Sequence, residues 1–365
     1  MQFNIKYLGF LIGFTCMISS CKNAVTDAMV NKPTAMGRIN NVVILTDKEM
    51  AESAIGDTVI NYFQSAYPVL PAEEPMFDLR FLTPEDLIAK PLQKELRIYV
   101  LVADVADTLS STTKMLRTDL GAERFSRAIK DTTFTSSIGN NKWAKEQIVF
   151  YIFANGKEKL ARAIRDNFPL VAKRINQHDE KNLQATVFGI KGENRTLSAE
   201  ILDSFGISIR IPDLYVKALQ DKNFMWLRMD NKEIIQSLVF RKFPYRDQSQ
   251  FSLDSIISMR NTYGKQFIRT GFADAYMSTN VIDLPALEYS YTNNNVFVKE
   301  VRGIWETEND FMGGPFVSYV LHNEAAGEIV FIDAFVFAPG KEKRDFVQQL
   351  DCIVKTASFA GVIKN

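Results

Sequence analysis

The sequence predicts an α+β fold of two tandem ferredoxin-like (βαββαβ) halves, with antiparallel sheets, helices on one face and a β-meander inserted in the second half. Three observations carry that expectation. Residues 41–154 read strand, helix, strand, strand, helix, strand, the split βαβ order. A similar order returns after Ile207. Finally, Tyr151–Lys159 aligns without a gap on Phe335–Lys343 through a shared Ala, a turn residue and Gly-Lys-Glu-Lys.

In the first half, Asn41–Leu45 is a short apolar strand, and Asp47 is suited to cap the helix that runs on to about Phe63. Pro68, Pro71 and Pro75 end that helix and stiffen a loop. Phe77–Leu82 alternates like a half-buried strand, while Leu96–Ala103 and Gln147–Ala154 are continuous apolar runs. Helical sequence fills Asp107–Lys130 and Gly156–Arg174, and the polar stretch Asn176–Phe205 reads as a helical connector. In the second half, Ile207–Ile211, Phe224–Met229, Ile234–Phe243 and Glu328–Phe337 read as strands. Asp213–Leu219, Ser252–Tyr263 and Lys341–Phe359 read as helices. The extra segment 271–323 holds alternating runs at Leu287–Tyr291, Val296–Ile304 and Phe316–Leu321, the expected meander. The resulting organisation is a leader at 1–20, a tether at 21–37, one half at 38–176, a connector at 177–205 and a second half at 206–365.

The leader reading rests on Lys6 followed by an apolar run, Tyr7–Ile18. That run is too short for a bilayer, which needs roughly 20 apolar residues, and it fits the core of a secretory signal. It ends in Ile18-Ser19-Ser20-Cys21, which resembles a bacterial lipobox with Ile and Ser at positions that usually hold Leu and Gly or Ala. The expectation is cleavage before Cys21 and acylation of its thiol, for which two or more chains give stable attachment. Ordinary secretion with a bare thiol is the alternative. Lys22–Gly37 then forms a tether, without the run of acids that would suggest export to the cell exterior, so a body facing the periplasm from the outer membrane is expected.

Composition narrows the function classes. The chain has 43 basic and 43 acidic side chains, which gives no electrostatic footprint for nucleic acid. A hydrophobic content of 46% with 27 Phe supports a packed core. Cys16 leaves with the leader and Cys21 is acylated, so Cys352 reads as a buried hydrophobe in the last helix. His178 and His322 lack neighbours at ligand spacing, so no metal site of the usual zinc type and no cofactor is expected. Phosphate-loop, dinucleotide, nucleophile-elbow and zinc-protease motifs are absent.

Two clusters carry candidate chemistry. In Trp305–Pro315, extended backbone would set Glu306, Glu308 and Asp310 on one face, with Trp305 and Phe311 beside them. Such carboxylates suit a cation or acid–base work, and the aromatics suit a sugar ring. The plainer reading is an ordered hairpin turning at Gly313-Gly314-Pro315, with its aromatics buried and its acids solvated. The second cluster, Arg260, Asn261, Tyr263, Lys265 and Arg269 with Tyr276, Met277, Ser278 and Thr279, suits an anionic ligand or is simply one polar helix face. The functional expectation is a ligand- or partner-binding module acting on envelope proteins or cell-wall fragments, and the alternative is an envelope hydrolase using the loop carboxylates.

Three segments carry a resemblance: Gly37–Asn41, Pro71–Asp78 and above all Val301–Phe316. Through them the chain resembles an uncharacterised family of Bacteroidota lipoproteins described as a domain of unknown function. The resemblance implies an envelope location and assigns no activity.

Overall fold

The computed structural model describes residues 32–189, 191–272, 274–293 and 296–359. The leader, Cys21 and the tether through Asn31 lie outside the described residues. The chain forms two compact units, one taking residues up to Asp57 with Arg80–Asn167, the other Thr58–Leu79 with Phe168 onward.

The first unit is built on β1 (Asn41–Leu45), β2 (Asp78–Leu82), β3 (Ile98–Asp104), β4 (Ser136–Asn140) and β5 (Ile148–Ala154), in the order β2-β1-β3-β5-β4. β1, β3 and β5 are parallel neighbours and β4 joins β5 antiparallel at an edge. This order differs from the ferredoxin-like arrangement expected for residues 41–154. The apolar runs explain why, because every residue of β3 and of β5 is buried. Strands buried on both faces are characteristic of parallel pairing. The sequence of β4, Ser-Ser-Ile-Gly-Asn, carries little strand signal.

Preceding helices are α1 (Lys48–Ala51), α2 (Ala54–Phe63) and α3 (Pro84–Ala89). A long helix, α4 (Ser111–Lys130), lays Leu116, Leu120, Phe125 and Ala128 on Val43, Leu45, Tyr99, Leu101, Val149 and Phe153. Asp47 occupies the N-cap position of α1 without a side-chain cap bond. Its carboxylate accepts instead from the Ser110 hydroxyl and from Thr112 N (3.2 Å), so it fastens the start of α4.

Helix α5 (Lys157–Phe188) follows β5 and is longer than its amphipathic pattern suggests, passing Pro169 in its interior. Then come α6 (Arg195–Phe205), β6 (Ile207–Ser208), β7 (Val216–Asp221), β8 (Phe224–Asp230), β9 (Ile235–Pro244) and α7 (Leu253–Phe267). The chain continues through β10 (Tyr276–Asn280), β11 (Leu287–Asn293), β12 (Val296–Glu308), β13 (Gly313–Asn323) and β14 (Glu328–Phe337), and ends in α8 (Arg344–Val354) and β15 (Ser358–Phe359). Where Pro212 suggests a helix start, the chain instead enters the wholly exposed edge strand β7.

Eight strands of the second unit form one antiparallel sheet, ordered β10-β12-β13-β14-β9-β8-β7, with β11 also paired to β12. Two corrections follow. Segment 271–323 is no appendage, since β12 and β13 lie inside the sheet. Helices also cover both faces rather than one. Leu197, Ile201, Phe205, Val347 and Leu350 of α6 and α8 pack on Leu227, Leu238, Phe240, Tyr319 and Ile332. Ile256 and Tyr263 of α7 pack on Val239, Val301, Trp305, Phe316 and Phe331. The matching Gly-Lys-Glu-Lys segments therefore follow strands of different sheets, one mixed and one antiparallel. What they share is a strand-to-helix turn, with Gly156 at φ 99° and Gly340 at φ 68°, a backbone region that glycine enters without steric cost.

The proline loop also belongs to the second unit. Glu74 accepts from the backbone N of Lys343 (2.6 Å) and of Arg344 (2.7 Å), capping α8 from 270 residues away. Arg344 then donates to Pro75 O (2.6 Å) and pairs with Asp78 at 2.9 Å. This gives the Pro71–Asp78 segment a structural role.

Candidate functional site

The β10–β12 ladder brings the two candidate clusters together. Tyr276 stands opposite Glu308, Ser278 opposite Glu306 and Thr279 opposite Trp305. Side chains alternate across a strand, so the cluster members divide between two faces. On the open face, Ser278 donates to Glu308 (2.9 Å), and the Asn280 amide donates to Glu306 (2.9 Å) and Asp283 (2.6 Å). Glu306 and Glu308 are exposed. Asp310 lies past the strand end in the hairpin turn, where it accepts from Phe311 N (2.7 Å), so it does not join the other two acids in one row. Phe311, at the tip, is fully exposed. Asn309, at φ 60°, donates to Asp274 O (3.2 Å) and ties this turn to the one before β10.

On the other face Trp305 is 4% exposed, with its indole N–H given to Val336 O (3.1 Å) and its ring against Phe335. The plain reading of this residue is the one found: it is core. Gly314 is required by the same packing, because a Cβ there would lie 2.0 Å from Val336 O.

Arg260 is also wholly buried and is not presented to an anionic ligand. It pairs with Asp333 (3.2 Å), donates to Thr279 Oγ1 (3.0 Å) and lies 3.8 Å from the centre of the Phe316 ring. Tyr263 and Ser318 both donate their hydroxyls to Asp333. Burial first, and then the Asp333 charge, push the Tyr263 phenol well above its usual range. Polar groups satisfied in this way fix where α7 sits on the sheet.

What remains accessible beside α7 is a groove of about 670 Å³ lined by Leu253, Ile257, Asn261, Lys265, Val281 and Pro285. Asn261 and Lys265 came from the second cluster. Asn261 accepts from Thr279 N (2.8 Å), and the Lys265 amine lies 5.3 Å from the Tyr276 ring.

A further constellation escaped sequence reasoning. Arg302 sits between Glu300 (2.6 Å) and Asp351 (2.7 Å), Tyr291 donates to Glu300 (2.8 Å), and Tyr319 donates to Asp351. Burial opposes the Arg302 charge, but Asp351 foremost, with Tyr319, Tyr67 and Glu300 after it, outweighs it and raises its pKa. The available signal was Glu300-x-Arg302 on one strand face; its partner Asp351 lies 49 residues away in α8. Among the described residues, no three His, Cys, Asp or Glu side chains are grouped to hold a metal ion. His322 lies against Tyr245 (4.3 Å). No helix among the described residues is long and apolar enough to cross a membrane.

With this geometry in place, residues 194–356 match the family model Domain of unknown function (DUF4837), and residues 35–188 match Domain of unknown function (DUF8532). Two stretches of the chain are thus similar to domains of unknown function. Both candidate clusters and the Arg302 constellation fall within the DUF4837 match, whereas the proline loop falls within the DUF8532 match. No curated protein matches the chain. Among solved structures, the Saccharomyces cerevisiae Ran-binding protein Mog1p aligns at 9% identity and a TM-score of 0.28, over 42% of this chain and 90% of its own. A mutant of Mog1 aligns at 9% and 0.26, with the same coverage. A protein of unknown function from Pseudomonas aeruginosa, PA94, aligns at 8% and 0.22, over 40% and 87%. Scores this low carry no argument about fold or binding.

Proposed function

We propose that this chain is a cell-envelope lipoprotein of the Bacteroidota type, acylated at Cys21 and held on the outer membrane facing the periplasm. We further propose that its DUF4837 region binds an envelope partner or ligand at the β10–β12 edge. The anchor reading is supported by Ile18-Ser19-Ser20-Cys21 after a short apolar run. The binding reading is carried by one observation, the register that unites two sequence-distant clusters at one sheet edge. Exposed Glu306, Glu308 and Phe311 then form the contact surface, and Asn261 and Lys265 line the groove across the edge. Loops on a rigid sheet commonly carry recognition groups.

Trp305 and Arg260 are unsuitable probes, because removing either disturbs the core. Affinity capture from native membranes should instead compare wild type with Phe311→Ser, Glu308→Gln. Loss of a captured envelope component from a folded variant is the expected result, and identical partner sets would remove the edge from consideration. Intact-mass spectrometry tests the anchor separately: the native chain should begin at Cys21 with two or three acyl groups.

The hydrolase reading draws on the Asp283 and Glu306 carboxylates meeting at the Asn280 amide. A cell-wall fragment should then raise the melting temperature, since a ligand binding only the native state stabilises it.

A further inference from the structure

Helix α7 carries an acid in its first turn, Asp254, and a base in its last, Lys265, and both are exposed. Their spacing brings them within about 20° of each other around the helix axis and about 16 Å apart along it. Ile257, Ser258, Asn261 and Thr262 stand between them at the i+3, i+4, i+7 and i+8 positions, and all six residues line the groove of about 670 Å³. An acid at the start and a base at the end suit the dipole of α7 itself. Neither charge, however, has an ion-pair partner among the described residues, and the Lys265 amine meets only the Tyr276 ring, at 5.3 Å from its centre. The facing wall of the groove is apolar, built from Val281 and Pro285 of the β10–β11 connection. Val281 is 50% exposed and Ile282, next in the chain, is 91% exposed. Apolar side chains set this far out beside polar ones mark a contact surface.

The stripe is its own complement. Turned end for end about a two-fold axis at its midpoint, it lays Asp254 against Lys265 of a second copy, Ile257 against Thr262 and Ser258 against Asn261. Symmetry then supplies the same three contacts in reverse, which is the rule for a two-fold interface. Ser258 and Asn261 stand nearest the axis, and neither is bulky enough to hold two helices far apart. The antiparallel order also sets the N-terminus of each helix beside the C-terminus of the other, where their dipoles attract. A parallel arrangement would instead place like charges together at both ends.

We propose that two copies of this chain associate through the groove, α7 against α7 and antiparallel, closed by two Asp254–Lys265 ion pairs. A foreign helix would have to bring the same charge order at the same spacing, which a second copy already has. One helix and one loop make a small face, below about 1,200 Å² in total, so the pair is weak, with a dissociation constant on the order of tens of micromolar. The inference goes beyond the envelope-binding reading. It shares that groove but none of Glu306, Glu308 and Phe311, so the tests of the two fail separately.

The test is sedimentation velocity of the full chain in density-matched detergent micelles, with circular dichroism to check folding. Wild type should dimerise as its concentration is raised. Asp254→Lys sets two amines together at each end of the stripe, and Lys265→Glu sets two carboxylates together. Either change replaces two attractions by two repulsions and should weaken the dimer at least about tenfold, equivalent to about 1.4 kcal/mol. An equimolar mixture of the two variants restores opposite charges at both ends and should form a heterodimer. The double variant Asp254→Lys, Lys265→Glu should dimerise like wild type. Both positions are exposed, so the variants should keep the native circular dichroism spectrum. A wild type still monomeric at several hundred micromolar would give the groove to a foreign partner and overturn the proposal. Undiminished dimers in the single variants, or no recovery in either the mixture or the double variant, would overturn it as well.

Discussion

The Arg260–Asp333 pair is the sharpest point at which to perturb the DUF4837 region. Both side chains are completely buried, 3.2 Å apart. Asp333→Asn leaves the guanidinium with Thr279 Oγ1 and the Phe316 ring but no counter-charge. Arg260→Met leaves a carboxylate that still accepts from Tyr263 and Ser318. Breaking a buried pair from one side costs about 3–5 kcal/mol, whereas exchanging both partners for apolar groups of similar volume is often neutral. Here the expected order is Asp333→Asn at about 4 kcal/mol and Arg260→Met somewhat less, because its orphan keeps two hydroxyl donors. The double variant Arg260→Met, Asp333→Leu should cost less than the sum by at least about 2 kcal/mol, a coupling large enough to resolve. Urea unfolding followed by circular dichroism measures all four proteins. Additivity within about 0.5 kcal/mol would refute the claim that one charge exists to neutralise the other.

Three further outcomes follow from the packing. Glu74→Gln keeps the shape but loses the carboxylate cap on α8, so stability should fall by about 1–2 kcal/mol and amide exchange at Lys343 and Arg344 should quicken; unchanged exchange would contradict the capping role. Gly314→Ala should destabilise by about 3 kcal/mol in a thermal melt, because a Cβ 2.0 Å from Val336 O forces the hairpin apart. Cys352 is buried, and desolvation raises its thiol to about 11 from 9.0. Native protein should therefore resist iodoacetamide at pH 8. The Cys352 contribution to stability is complete below pH 9 and is lost as pH rises toward about 11, where the unfolded thiol ionises first; a Cys352→Ala variant with the same alkaline stability profile would contradict this.

Much of the local structure was legible because hydrophobic period is a local property. Asn41–Leu45 matches its strand to the residue, and the three runs of segment 271–323 fall on β11, β12 and β13. Pairing was not legible. Ile98–Asp104 and Ile148–Ala154 read as buried strands, but a fully apolar run does not state which neighbour it takes, and the parallel β3–β5 pairing is a tertiary outcome. Similarly, Gly-Lys-Glu-Lys after Ala154 and after Ala338 encodes a strand-to-helix turn, and the same turn chemistry serves strands of two different sheets. The candidate site was half legible. Glu306 and Glu308 alternate on one exposed face as their spacing implies, but Asp310 leaves the row because the turn at Asn309 begins there. Arg260 and Trp305 look like binding groups in a sequence and are core groups in the fold. Their partners, Asp333 and Val336, come from β14, and no local pattern announces them.

The most direct test of the proposed binding edge is photo-crosslinking in native membranes with benzoylphenylalanine at position 311. The account expects a discrete adduct that is lost when Glu306 and Glu308 are both changed to Gln. Crosslinking that is absent, or that persists undiminished in the doubly changed protein, would contradict it.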